Sequence, residues 1–454
     1  MDIKEIYKLY QQHPCITTDS RDCPKDSIFL ALKGETFNGN LFALQALEKG
    51  CAYAIVDEAG ILDNLENLEH LEKKIILVDD CLQTYKDLAR EHRRQFNIPV
   101  IGITGTNGKT TTKELIRAVL SECYNVMATE GNFNNDVGVP KTLFRLNDDY
   151  DIAVVEMGAS HPGDIKTLVE TAEPTSGLIT NVGRAHLLGF GSFEGVCKTK
   201  GELYDFLKAH ECPVFVNRDN EHLMKMISQQ LTANGQLPDI YYYGQSDSND
   251  ILIRGEVISC APFLKFRWRE QDYEAGYQSE WMEVQTHLIG AYNLDNMLAA
   301  ITIGYVNNIP FEQINHALEN YVPSNNRSQM TVTEHNHLIV DAYNANPTSM
   351  KAAIDNFKLM EVPHKMAIIG KMGELGDVVE EEHQKVVDML AAANFEEVWL
   401  VGDEFQNIPC NFRKFKDVEE VKEAITSNRQ TLTDKYILIK GSNSNKLFQL
   451  PELL

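Results

Sequence analysis

Short apolar runs alternate along the chain with stretches in which apolar residues return every three or four positions. The first pattern reads as buried strands and the second as amphipathic helices. In residues 1–97 the strand-like runs are Ser27 to Leu32, Tyr53 to Asp57 and Ile75 to Asp79. Pro99 punctuates the chain. Beyond it, runs at 100–104, 152–156, 177–182 and 214–217 are separated by helical segments, the alternation of a mainly parallel sheet covered by helices. Residues 241–289 read instead as short antiparallel strands. After Pro323 and the polar Ser324-Asn325-Asn326 the alternation restarts, at 337–342, 365–369, 396–401 and 435–440. The expected fold class is α/β in three parts, 1–97, 98–322 and 323–454. The last two carry doubly wound sheets, and a ligand cleft is expected between them.

A chain of 454 residues agrees with about three domains. No apolar run approaches the ~18 residues needed to cross a bilayer, and the start Met1-Asp-Ile-Lys-Glu-Ile-Tyr7 lacks the basic and apolar segments of a signal peptide. A cytoplasmic protein without membrane insertion is expected. The nine cysteines are scattered without a C-x-x-C pair, so reduced thiols are expected rather than a zinc cage. A net charge of −24 opposes binding to nucleic acid or anionic lipid, and an anionic substrate must therefore meet a local basic pocket.

Val100 to Thr112 runs an apolar strand into Gly105-Thr106-Asn107-Gly108-Lys109-Thr110-Thr111 and then into a helix. Glycines let backbone N–H groups close around phosphate oxygens, the helix N-terminus faces them, and Lys109 adds a full charge. Thr110 or Thr111 offers a hydroxyl to Mg²⁺. The strict pattern G-x-x-x-x-G-K-[ST] fails, because Ile103 stands where its first glycine belongs. An ordinary Gly/Thr-rich turn is the competing reading. Glu156 ends the next strand and suits Mg²⁺, and the strand after it brings His186 toward the same sheet edge, as a metal or phosphate ligand.

Other positions stay open on the residues alone. Lys198 and Lys200 stand at the start of an amphipathic helix, and composition does not choose between them. Asn293 and Asn296 share a helix face and read as adenine contacts or, more simply, as helix caps. Asp341 ends a strand before Asn344 and the N-cap Asn346 of a helix starting at Pro347, and the loop Gly370 to Gly376 carries Lys371 and Glu374. Both loops are expected to face the cleft. Arg327 is a candidate phosphate or hinge contact.

Together, Thr104-Gly-Thr-Asn-Gly-Lys-Thr-Thr, Glu156-Met-Gly, Asn181-Val-Gly-Arg-Ala-His186, Gly290-Ala-Tyr-Asn-Leu-Asp-Asn296 and Asp341-Ala-Tyr-Asn-Ala-Asn-Pro347 resemble the Mur ligases in order and spacing. Gly131-Asn-Phe-Asn-Asn-Asp-Val-Gly-Val-Pro140 and Thr17-Thr-Asp-Ser-Arg21 resemble the branch that joins D-alanyl-D-alanine to UDP-N-acetylmuramoyl-tripeptide. The resemblance implies an ATP-dependent amide ligase, expected as a monomer, with a UDP-binding N-terminal domain, a central P-loop ATPase and a Rossmann-like C-terminal domain. It implies ATP contacts at Gly105 to Thr111, Asn293, Asn296, Arg327 and Asp341. Two Mg²⁺ ions are implied, at Thr110 and Glu156 and at His186 and Lys200, the last as a carbamylated lysine. It further implies that Ser20, Arg21, Lys33 and Gly34 hold the UDP end, that Asn132, Asn134, Asn135 and Asp136 face the muramoyl-peptide, and that Asn344, Asn346 and Glu374 meet the dipeptide. Two positions depart from the pattern. Leu188 stands where a carboxylate is usual, and Asn443 where an arginine is common. A sister ligase adding a single amino acid and a P-loop kinase are the alternatives.

Overall fold

The computed structural model describes residues 1–60, 71, 73–231, 239–272, 275–323 and 329–454. The N-terminal part is a four-stranded parallel sheet in the order Ile16–Thr17, Ile28–Leu30, Tyr53–Val56, Ile75–Leu77, flanked by helices Ile3–Gln12, Ala43–Glu48 and Cys81–Arg93. The Cys81–Arg93 helix starts on Asp80, whose carboxylate accepts from the Gln83 N–H at 2.7 Å.

One ten-stranded sheet organises the central part. Val126–Ala128, Ile152–Glu156, Val100–Thr104, Ser176–Ile179, Val214–Asn217, Ile240–Gly244 and Ile251–Cys260 lie side by side and parallel. Phe263–Asp272 and Met282–Ile289 then continue the same sheet antiparallel. The region 241–289 thus contains the expected antiparallel strands, but not all of it is antiparallel or short. Its first strand joins the parallel array, and two of the others are ten residues long. Alternating burial along Ile251–Cys260 marks a strand with one solvated face, a pattern found in the antiparallel edge of a mixed sheet.

All five residues of Val100–Thr104 are buried, as the apolar run required. Ile101 and Ile103 pack on one side with Leu115, Ile116 and Leu298, while Val100 packs on the other with Val155, Leu203 and Tyr204. Helix Asn293–Val306 is apolar on nearly every side and lies buried against helix Lys109–Leu120. The expected strand 177–182 stops at Ile179, because Thr180 and Asn181 turn away to hold the phosphate loop. Helix Phe193–Ala209 begins on the N-cap Ser192, so Lys198 and Lys200 lie inside it rather than at its start.

The C-terminal sheet runs Gln329–Val332, His337–Asp341, Tyr436–Lys440, Lys365–Gly370, Glu397–Val401, Arg413–Phe415, parallel except for its first pair. The last long strand of the chain thus inserts between two earlier ones. That topological switch brings the ends of three strands, at Asp341, Lys440 and Gly370, to one edge facing the central part. The short strands at 16–17, 126–128, 329–332 and 413–415 carry no apolar run long enough to stand out in the sequence.

Candidate active site

Gly105 has φ +146° and Gly108 φ +79°, and a Cβ on the first would lie 2.0 Å from Thr180 Oγ1. Both glycines are therefore required by conformation and by space. The helix that follows starts at Lys109 on Gly108, with no side chain capping its N-terminus. Its first N–H groups and its positive dipole end point into the loop, the arrangement that binds an anion.

The loop is clamped from the neighbouring strand end. Asn181 Oδ1 accepts from the Asn107 N–H at 3.0 Å and Asn181 Nδ2 donates to the Asn107 carbonyl at 3.0 Å, so one side-chain amide pairs with the backbone of one residue. Thr180 Oγ1 donates to the same carbonyl at 2.6 Å, and the Thr106 N–H to the Asn181 carbonyl at 2.9 Å. Lys109 Nζ donates to the Gly105 and Thr106 carbonyls at 2.8 and 3.1 Å.

Beside the loop, Glu156 is 1% exposed and its carboxylate accepts from Thr110 Oγ1 at 3.0 Å and Asn134 Nδ2 at 2.8 Å. Of the two threonines, Thr110 faces Glu156 and Thr111 lines the open cleft. Lys200 is 3% exposed and lies over the Phe190 ring at 5.7 Å, whereas Lys198 is exposed. Burial, and then the charge of Lys109, push the Lys200 ammonium well below the usual lysine range. His186 has φ +50° and contacts the Glu374 carboxylate through Nδ1; burial lowers its pKa, against the pull of Glu374. A carboxylate thus reaches the histidine from the C-terminal part, although Leu188, two positions along, is apolar and exposed.

A cleft of about 760 Å³ runs between the central and C-terminal parts. Thr106, Asn107, Gly108, Lys109, Glu156 and His186 form its floor, and Asn132, Asn134, Asn135 and Asp136 one wall. Asn293 and Asn296 line it too, but they do not cap their helix. Asn293 donates to the Ile289 carbonyl, Asn296 Nδ2 to Asn293, and Thr112 Oγ1 to Asn296 Oδ1 at 3.0 Å, bracing the phosphate-loop helix. From the C-terminal side come Asp341 and Asn344, with Asp341 bound at 2.6 Å by the buried Lys440. Asn346 caps its helix through Ser349 and exchanges amide hydrogen bonds with Asn107 at 2.9 and 3.4 Å, so it joins the two parts. Arg184 and the buried Glu382 add a third link at 3.4 Å.

Several expected residues lie elsewhere. Ser20, Arg21, Lys33 and Gly34 sit on the N-terminal part, away from the cleft lining. Arg21 pairs with Asp19 at 2.8 Å and holds that carboxyl down at about 2. Lys33 pairs with Asp57 at 2.8 Å and Glu58 at 3.0 Å, and these partners raise its pKa. Arg327 lies outside the described residues, and Lys371 is engaged by Glu404 at 2.9 Å. Asn181, inside the Asn181-to-His186 motif, and Lys440, at the end of the strand-like run 435–440, carry no assignment in the sequence reading, yet they hold Asn107 and Asp341.

Three family models match the chain in tandem: "Mur ligase family, catalytic domain" over residues 14–93, "Mur ligase middle domain" over 103–304 and "Mur ligase, glutamate ligase domain" over 326–443. Curated relatives named UDP-N-acetylmuramoyl-tripeptide--D-alanyl-D-alanine ligase include one from Synechocystis sp., 33% identical over 86% of this chain and 79% of its own. Another, from Escherichia coli, is 30% identical over 94% and 91%. A crystal structure of MurF from Acinetobacter baumannii superposes with a TM-score of 0.84 at 26% identity, covering 98% of this chain and 97% of its own. The three family models follow one another along most of the chain, relatives 30% or more identical span it, and the chain belongs to the Mur ligase family.

Proposed function

We propose that the protein is an ATP-dependent amide ligase that joins D-alanyl-D-alanine to UDP-N-acetylmuramoyl-tripeptide. The observation that carries this reading is the cleft itself. It sets a phosphate loop with Lys109 and Glu156 on one side against Asp341 and Asn344 on the other, with Glu374, outside the lining, reaching His186, in a chain whose relatives bear that activity in their names. In this reading residues 1–97 take the UDP end through Ser20, Arg21, Lys33 and Gly34, residues 98–322 take ATP, and residues 323–454 bring the dipeptide. The enzyme acts as a cytoplasmic monomer; no described helix is long and apolar enough to cross a membrane.

The phosphate-loop N–H groups and Lys109 hold the β- and γ-phosphates, Asn293, Asn296 and Asp341 the nucleoside side, and Arg327 the phosphates from the C-terminal side. Asn132, Asn134, Asn135 and Asp136 orient the tripeptide so that its terminal carboxylate attacks the γ-phosphorus. ADP leaves and an acyl phosphate forms. The free amine of the dipeptide, directed by Asn344, Asn346 and Glu374, then adds to the acyl carbon, and collapse expels phosphate and leaves the amide. Such transfer depends on positioning and on fixed charge, both of which a preorganised loop supplies.

Buried oxygen donors at Glu156 and Thr110 fit Mg²⁺, which binds through one or two carboxylates together with substrate phosphates. Bound there, Mg²⁺ would neutralise charge on the phosphoryl oxygens. His186 fits a second site, because a carboxylate on the far ring nitrogen is the usual support of a metal-bound imidazole. Lys200 completes that site as a carbamate: its neutral amine adds to carbon dioxide, losing one proton and becoming an oxygen donor. An oxygen-isotope experiment tests the acyl phosphate. With the label in the tripeptide's terminal carboxylate, one labelled oxygen is expected in the released phosphate. Unlabelled phosphate would contradict the proposed chemistry.

A further inference from the structure

His383 lies in the first turns of helix Val379–Ala393, away from the cleft, and is 0% exposed. Its Nε2 accepts from the Met372 N–H at 3.0 Å and its Nδ1 sits 2.7 Å from the Val379 carbonyl. A carbonyl only accepts and a backbone N–H only donates, so the ring is fixed as the neutral Nδ1–H tautomer. The Phe405 ring meets it edge-on at 4.8 Å. The charged groups that face it are Glu382 on its own helix, Lys371 on the loop and Glu404 on the turn beyond.

Met372 is buried and immediately precedes Gly373 and Glu374, the exposed residues of the loop Gly370 to Gly376. The preceding residue is already held, since the Lys371 carbonyl accepts from Asn445 Nδ2 at 2.9 Å and its N–H donates to Val401 at 3.0 Å. The bond from His383 is the last anchor before Glu374, which turns with φ +59° and puts its carboxylate on His186 of the central part. Glu382, next to His383, takes Arg184 across the same gap.

We propose that His383 is a positioning residue: through Met372 it sets the loop that delivers Glu374 to His186 and to the incoming amine. The inference rests on the functional reading above. Protonation at Nε2 turns the acceptor into a second donor facing the Met372 N–H, and the loop must then give way. Burial, the largest cause, keeps the ring neutral by lowering its pKa; the Val379 carbonyl and Glu404 oppose this, and Lys371 assists.

The test compares His383→Phe, which keeps a ring and removes both hydrogen bonds, with His383→Gln, whose amide oxygen can still accept from Met372. In steady-state assays with ATP, UDP-muramoyl-tripeptide and D-alanyl-D-alanine, His383→Phe is expected to raise the dipeptide KM about tenfold, the equivalent of one buried N–H left without a partner. The ATP KM should stay unchanged, and His383→Gln should recover most of the loss. Hydrogen exchange of the free protein, which needs no turnover, should accelerate in peptides covering 370–376 but not 105–120 in the Phe variant. A wild-type enzyme without dipeptide-dependent turnover would defeat the functional reading, while faster exchange confined to 370–376 would still support the anchor. An active wild type with equal KM changes for all substrates, or unchanged exchange at 370–376, would overturn the inference.

Discussion

The phosphate loop and the segments proposed to take the UDP end are both read as phosphate-binding, but they are built differently. At the loop, Lys109 rests on the Gly105 and Thr106 carbonyls and Lys200 is buried with its pKa driven down, beside an uncapped helix N-terminus. On the N-terminal part, Arg21 and Lys33 are paired with Asp19, Asp57 and Glu58. The first region is preorganised, with its backbone and charges already in place. In the proposed reading the second exchanges carboxylate partners for a diphosphate, which reduces what each contact adds. Preorganised charge acts on the transition state, whereas exchanged surface pairs act mainly on binding.

Breaking the preorganised side is expected to have the largest effect. Glu156→Gln keeps the hydrogen-bonding shape yet removes the charge, and kcat in a phosphate-release assay should fall about a thousandfold with little change in KM for the UDP substrate. Lys200→Ala should fall comparably and recover in part with short carboxylic acids, which would stand in for the proposed carbamate; normal turnover without added acid would remove Lys200 from the site. On the other side of the comparison, Lys33→Ala should raise KM for the UDP substrate only about three- to tenfold and leave kcat alone, because exposed, solvent-screened ion pairs contribute little. A kcat loss matching that of Glu156→Gln would erase the distinction.

The smallest effect concerns how the N-terminal part is held. His92, buried, stands 3.0 Å from both the Tyr7 hydroxyl and the Leu146 carbonyl, within a cluster that includes Tyr10 and Phe144. Burial lowers its pKa below 6.5, so the folded protein favours the neutral ring. The stabilisation is complete above pH 6.5 and is lost as pH falls through the depressed folded value. Thermal unfolding should show an acid-side loss of stability that is reduced in His92→Gln.

How much of this was legible depended on whether the signal was local. The run Val100–Thr104, the glycines at 105 and 108 and the Asn346-Pro347 helix start are local, and each lies where its own chemistry puts it. Lys200 was also readable in principle: Val196, Leu203, Tyr204 and Leu207 stand four before and three, four and seven after it, all buried on one helical face, whereas Lys198 falls between. The Asn181 grip on Asn107, the Asn346 bond to the same residue and the Asp341 pair with Lys440 join positions far apart in the chain. No pattern along a single sequence encodes those meetings; they follow from strand order, above all from the late insertion of Tyr436–Lys440 beside His337–Asp341. The single central sheet was obscured for the same reason, since the pattern of a strand does not say which neighbour it pairs with.

The central claim is that phosphate transfer at the loop serves amide formation between two bound substrates. It is tested most directly by measuring phosphate release from ATP with each substrate omitted in turn. The account predicts release only when UDP-muramoyl-tripeptide and D-alanyl-D-alanine are both present, with one pentapeptide product formed per phosphate. Sustained ATP turnover that is indifferent to the dipeptide would contradict it.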